Sequence, residues 1–395
     1  MNRMRTIACG TALLFMSVHG LQAHTFETLY AFPKESVGQA PGGALARVNG
    51  TLYGATFGGG KAHAGTVYSL DRERGHTKLH QFDLARDGEQ PQGVIADEGG
   101  NLYGATFVGG SVFKVTPDGR HATLYTFQGG SDSSNPVGAL HRGLDGTLYG
   151  TTMFGGSGGC NGNGCGTIYK LAPDGTKSVL HVFAGSDGAQ PNGGLVADKA
   201  GNLYGVTREG GVGCQGFGCG TVYRLSPDGR DSVLYAFQGD IDGETPVGEL
   251  AIDKEGDLFG VANGGKSLCG GHGLFCGIVF EIALDGTKST IHAFEGPDGW
   301  FPAAGLVADT DGSLYGTTES GGTSCSGEGC GTVFKIAPDG TYTLLHDFAG
   351  GKDGIAPDGP LLLTRKGTLY GTVVQGGKTG SCSDYGCGTI FEITP

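Results

Sequence analysis

The residues best suited to chemistry in this chain are its cysteines, a recurring set of histidines and a recurring set of aspartates, and the spacing within each set limits what it can do. Eleven cysteines are present, and the ten beyond Cys9 form five local pairs: Cys160/Cys165, Cys214/Cys219, Cys269/Cys276, Cys325/Cys330 and Cys382/Cys387. An even count paired inside single loops reads as five disulfides rather than metal thiolates, because no histidine recurs beside the pairs at ligand spacing. Loops this short gain only about 2 kcal/mol each from closure, so their expected use is to stiffen the segments that carry them. His80, His181, His292 and His346 occupy one repeated position that tyrosine takes in other copies, which marks them as structural. A catalytic histidine is singular. His141 and His272 are the singular ones, and neither has an assignable nucleophile or acid partner, so no catalytic residue is assigned. Asp-Gly-x-x-Pro recurs at Asp87, Asp187, Asp242, Asp298 and Asp353. One carboxylate per loop offers too few oxygens for calcium, and the pattern reads as an Asx-type turn ahead of proline. Only Asp240-Ile241-Asp242-Gly243-Glu244 concentrates enough carboxylates for a calcium site; otherwise neither metal nor cofactor is expected.

These residues are carried by a repeat. Leu52-Tyr53-Gly54 returns at Leu102, Leu148, Leu203, Leu258, Leu314 and Leu369, at spacings of 50, 46, 55, 55, 56 and 55 residues. A period of that length announces a repeat architecture. Each unit reads as four short strands. Strand a is small-residue and opens at a proline (Pro41, Pro91, Pro136, Pro191, Pro246, Pro302, Pro357), and strand b carries the Leu-aromatic-Gly signature and ends at a glycine pair. Strand c follows the Gly65-Thr66-Val67-Tyr68 pattern, and strand d ends in phenylalanine, as in Leu234-Tyr235-Ala236-Phe237. No segment has helical periodicity. Seven four-stranded units predict an all-β, seven-bladed β-propeller over residues 24–395. The last unit stops after strand c while an extra d strand, Thr28-Leu29-Tyr30-Ala31-Phe32, stands at the amino terminus, so that strand is expected to complete blade 7 and close the ring.

With these landmarks on view, the chain resembles the GloVer tandem-repeat proteins, the choice-of-anchor group. The resemblance rests on Leu314 through Thr318, Gly321-Gly322, Gly331 through Phe334 and Pro338-Asp339-Gly340, and on their counterparts along the chain. It implies export and a propeller-like repeat, and it transfers no activity and no site residues. Many such proteins carry a carboxy-terminal anchor, whereas this chain ends on strand c.

Residues 1–23 read as a secretory signal, with Arg3 and Arg5, an apolar run over residues 7–18 and Leu21-Gln22-Ala23 before His24. Without Arg3 and Arg5 the chain keeps 24 of its 26 basic residues against 39 acidic ones, a formal charge of −15. A nucleic-acid partner needs a basic footprint, so none is expected. No later stretch is long and apolar enough for a membrane span. The expectation is an exported or periplasmic monomer that binds a glycan or protein. The alternatives are a secreted polysaccharide lyase or glycoside hydrolase on the same scaffold, or a structural envelope or matrix component.

Strand alternation puts the b-c and d-a loops on one face, and these loops are the long, varied ones, which makes that face the expected site. Around it the residue closing strand b changes from apolar (Phe57, Phe107, Met153, with Phe154) to polar (Arg208, Glu209, Asn263, Glu319). Gln92, Asn192, Glu249 and Asp358 are expected at the axial mouth, with Trp300 and Phe301 as an aromatic platform beside it.

Overall fold

A computed structural model describes residues 24–34, 36–156, 159–212, 214, 216, 218–265, 268, 269, 274–325, 327–377, 382 and 386–395. The segment read as an export signal and His272 lie outside the described residues.

Seven four-stranded antiparallel sheets form a ring. Blade 1 shows the pattern: strand a at Gln39–Val48, b at Thr51–Gly58, c at Thr66–Asp71 and d at Gly75–Gln81, in that order across the sheet. Blade 7 takes strands a to c from Leu362–Leu363, Leu369–Val373 and Thr389–Thr394, and its d strand is Thr25–Ala31. Thr25 pairs with Thr394 and Ala31 with Thr389, so the amino-terminal strand closes the ring as the sequence predicts.

The signature glycine of strand b exists because an aromatic ring lies across it. A Cβ on Gly54 would stand 2.4 Å from the Tyr68 hydroxyl, and one on Gly371 would stand 2.3 Å from the Phe391 ring. That ring belongs to strand c and is buried completely, and the terminal phenylalanine of the preceding blade's d strand packs edge-on against it. Phe82 meets Phe113 at 4.9 Å between centroids, Phe183 meets Tyr223 at 5.1 Å, and Phe348 meets Phe391 at 5.4 Å. The closing joint repeats the arrangement, Phe32 against Tyr68 at 5.4 Å. Each hydrophobic cluster therefore spans two blades rather than filling one. Edge-to-face pairs add about 0.5–1.5 kcal/mol beyond the area they bury.

Toward the rim, the repeated histidines and aspartates meet each other. Nε2 of His80, His181 and His292 lies 2.7, 2.9 and 2.8 Å from Oδ2 of Asp87, Asp187 and Asp298. Where tyrosine replaces histidine the contact persists, Tyr125 to Asp132 at 2.6 Å and Tyr235 to Asp242 at 2.8 Å. The second oxygen of each aspartate accepts a backbone N–H of the same loop, for example Ala184 to Asp187 at 2.8 Å. The aspartates therefore staple the d-a loops, as the turn reading requires. In the acid-rich stretch Asp242 is engaged by Tyr235, by the Gln238 N–H and by Lys288 Nζ at 3.2 Å.

Candidate functional site

Register sets the two faces. Gln39 pairs with Gly58 and Pro41 with Thr56, so each a strand starts where its b strand ends, and the d-a and b-c loops share one face.

On that face the residue before each proline is held left-handed: Ala40, Gln90, Asn135, Gln190, Thr245, Phe301 and Ala356 have φ between 46° and 61°. Non-glycine residues adopt this conformation only when their surroundings impose it. Here the reason is a hydrogen bond across the blade joint. The Gln190, Thr245, Phe301, Ala356 and Ala40 N–H groups donate to the carbonyls of Cys165, Cys219, Cys276, Cys330 and Cys387, at 2.8–3.0 Å. Each acceptor is the second cysteine of a disulfide, and all five predicted within-loop bridges are present. The bridges thus hold the carbonyl on which the next blade registers. Blade 1 has no bridge and uses the Ala64 carbonyl for Gln90. In blade 2 the b-c connection shrinks to Gly109-Gly110, and Asn135 Nδ2 donates instead to the Phe107 carbonyl at 3.2 Å. Five bridges fit an oxidising compartment outside the cytosol. No helix among the described residues is long and apolar enough to cross a membrane.

Next to the axis the a strands approach so closely that side chains are excluded. A Cβ on Gly248 would lie 2.2 Å from the Gly305 nitrogen, and one on Gly138 would lie 2.2 Å from the Gly193 carbonyl carbon. Backbone hydrogen bonds cross between blades here, Val94 to Ala44 at 3.0 Å and Leu306 to Glu249 at 3.1 Å. Above this constriction opens a cavity of about 420 Å³. Phe57, Phe107 and Met153 line it together with Gln92, Asn192, Glu249 and Asp358, and among the described residues no lysine, arginine or histidine does. A second cavity opens on the opposite face, with His141 in its wall, and Glu249 is the one residue that lines both.

Two carboxyls line this mouth, Glu249 and Asp358, and Glu319 of a third blade interacts with Asp358 from outside the lining. The Glu249 carboxyl makes no hydrogen bond or ion pair among the described residues, and burial pushes it up to about 7. Glu319 and Asp358 act on each other electrostatically across the joint of blades 6 and 7. Both are raised above the ordinary carboxylate range, chiefly by burial, and the negative charge of Asp358 adds to the effect on Glu319.

The remaining expected residues stand elsewhere. Trp300 is 6 % exposed, packed with Cys269, Cys276 and Phe294, and its indole N–H is buried without a partner. Phe301 is half-exposed on the d-a loop, and its carbonyl accepts the Glu319 N–H at 3.0 Å. Asn263 spends its amide on Thr245 at 2.8 Å, and Arg208 is exposed and Glu209 half-buried, all three outside the cavity lining. The Glu319–Asp358 contact escapes sequence reading because the two lie on different blades. The available signal is positional: Gln92, Asn192 and Asp358 each directly follow the strand a proline, and Glu249 stands three residues after Pro246.

Among solved structures, the chain is similar to virginiamycin B lyase from Staphylococcus aureus, at 14 % identity over 94 % of this chain and 99 % of that one, with a TM-score of 0.64. It is also similar to a gluconolactonase from Xanthomonas campestris, at 15 % identity over 94 % and 89 % of the two chains, with a TM-score of 0.45. At such identity the first likeness is one of fold. No curated protein matches the chain in sequence. The profile of the Gloeobacter/Verrucomicrobia repeat matches residues 17–159, 106–327 and 270–395, segments that together run through all seven blades. With its signature glycines, glycine pairs and proline-opened a strands accounted for as the joints of the ring, the chain belongs to the Gloeobacter/Verrucomicrobia repeat family.

Proposed function

We propose that this is an exported glycan-binding propeller whose ligand enters the axial mouth on the disulfide-braced face. The observation that carries the reading is the cavity itself, whose lining combines Phe57, Phe107 and Met153 with Gln92, Asn192, Glu249 and Asp358. A sugar ring presents an apolar C–H face and a rim of hydroxyls, and these apolar and polar side chains suit the two. The mouth is blind, since the glycine-packed a strands meet beneath it, so the ligand is taken by its end rather than threaded. A glycan array on the purified protein tests this. Binding is expected to fall at least tenfold in Phe107→Ala and Asn192→Ala at unchanged Tm, and array binding that both variants retain would refute the site.

One observation favours catalysis as a second reading. Glu319 and Asp358 interact and are both held above the ordinary carboxylate range, and carboxyls with raised, unequal proton affinities perform acid-base chemistry at glycosidic bonds. Release of reducing ends or unsaturated products from a polysaccharide panel, lost in Glu319→Gln, would establish it.

A further inference from the structure

We propose that the group seated against Glu249 and Asp358 is a protonated amine, so that the preferred ligand is a saccharide ending in an unacetylated amino sugar. The inference rests on the axial mouth being the glycan site and adds the chemical class of what enters it. Three features carry it. Among the described residues no basic side chain lines the cavity, and Arg208, at the strand b position equivalent to Phe57 and Phe107, is not part of the lining. An acidic sugar such as a uronate would bring a further negative charge into a mouth lined by two carboxyls and, among the described residues, by no basic side chain. The Glu249 carboxyl also has no hydrogen bond or ion pair among the described residues, which leaves it available to a group that enters the mouth.

An ammonium supplies what is missing. Its N–H donors serve both carboxyls, and its charge favours their ionised forms, so that protons held by these raised groups leave to solvent as the ligand binds. A neutral N-acetyl group does neither. Phe57 and Phe107 in the same lining complete the site, since aromatic faces attract both a sugar's C–H surface and a nearby cation.

The test is titration calorimetry of the full protein near pH 7 with three probes: a glucosamine disaccharide, its N-acetylated counterpart and a galacturonate disaccharide. The glucosamine form is expected to bind at least tenfold more tightly than the N-acetylated form, with no heat from the galacturonate. Repeating the titration in buffers of different ionisation enthalpy should reveal net proton release. Glu249→Gln and Asp358→Asn should each lower affinity at least tenfold, while Asp339→Asn, in a turn on the opposite face, binds like wild type; equal loss in Asp339→Asn would reduce the effect to the general acidity of the protein and overturn the proposal. N-acetylated binding as tight as glucosamine binding, and weakened by Phe107→Ala, overturns the amine inference while leaving the glycan mouth standing. Silence from all three probes on a protein that is also negative on the glycan array removes both.

Discussion

If the amino-terminal strand closes the ring as an equal member, Phe32 should matter as much as its counterpart deep inside the chain, Phe82. The two occupy the same place in successive joints, 0 % and 1 % exposed, edge-on to Tyr68 and Phe113. Truncating a buried phenylalanine to alanine costs about 3–5 kcal/mol. With residues 24–395 unfolding as one unit, at about 2.1 cal/mol/K per residue, the unfolding entropy is about 0.8 kcal/mol/K, and a loss of about 4 kcal/mol lowers Tm by about 5 °C. Differential scanning calorimetry of Phe32→Ala and Phe82→Ala should therefore give one transition in each case, shifted by similar amounts. The expectation follows from the closing joint having the same parts as the others: the edge-on aromatic pair, the Ala40 N–H on the Cys387 carbonyl at 2.9 Å, and Pro41 seated on Gly388. A shift under about 1 °C for Phe32→Ala beside about 5 °C for Phe82→Ala would mean that the first strand frays by itself and that closure contributes little to the ring.

The other expectations are more local. Trp300→Ala should destabilise by about 3–5 kcal/mol in urea unfolding, because the indole fills a joint rather than facing a ligand; wild-type stability would contradict its burial. Replacing Cys325 and Cys330 together by serine should cost about 2 kcal/mol and speed amide exchange at Ala356, whose acceptor is the Cys330 carbonyl; unchanged exchange would show that the bridge does not hold that carbonyl. Stability should fall from both sides in pH. His76 and His121 are held neutral, pushed down from 6.5 to about 4 by burial, so the unfolded chain binds more protons between those values and stability drops as pH falls from 6.5 to 4. Glu249 is raised from 4.5 to about 7, so its contribution is complete below pH 4.5 and is lost as pH rises through 7. His121→Phe should flatten the acid limb and Glu249→Gln the upper one in Tm measured across pH; slopes unchanged by either substitution would refute the assignment.

How much of this was legible beforehand follows from where the information lies. The blade count, the strand order, the closing strand and the five bridges all come from contacts that recur within a unit or its immediate neighbour, so the period of the sequence carries them. Leu-Tyr-Gly recurs because one c-strand ring covers one glycine in every blade, and Asp-Gly-x-x-Pro recurs because its aspartate staples each d-a loop that carries it. The face and much of the axial mouth were legible too, from strand direction and from the places where the repeat breaks its pattern. What only the tertiary structure decided is the direction of single side chains that have no counterpart elsewhere. Trp300 and Glu319 both sit near the rim of the same face in sequence terms, yet the indole turns into the blade 5–6 joint while the carboxyl meets Asp358 of the next blade. The glycine-lined constriction that leaves Glu249 between two cavities arises from a strands far apart in the chain that approach within backbone contact around the axis. A repeat period encodes what every blade shares; a site made from the differences between blades exists only once the ring has brought them to one centre.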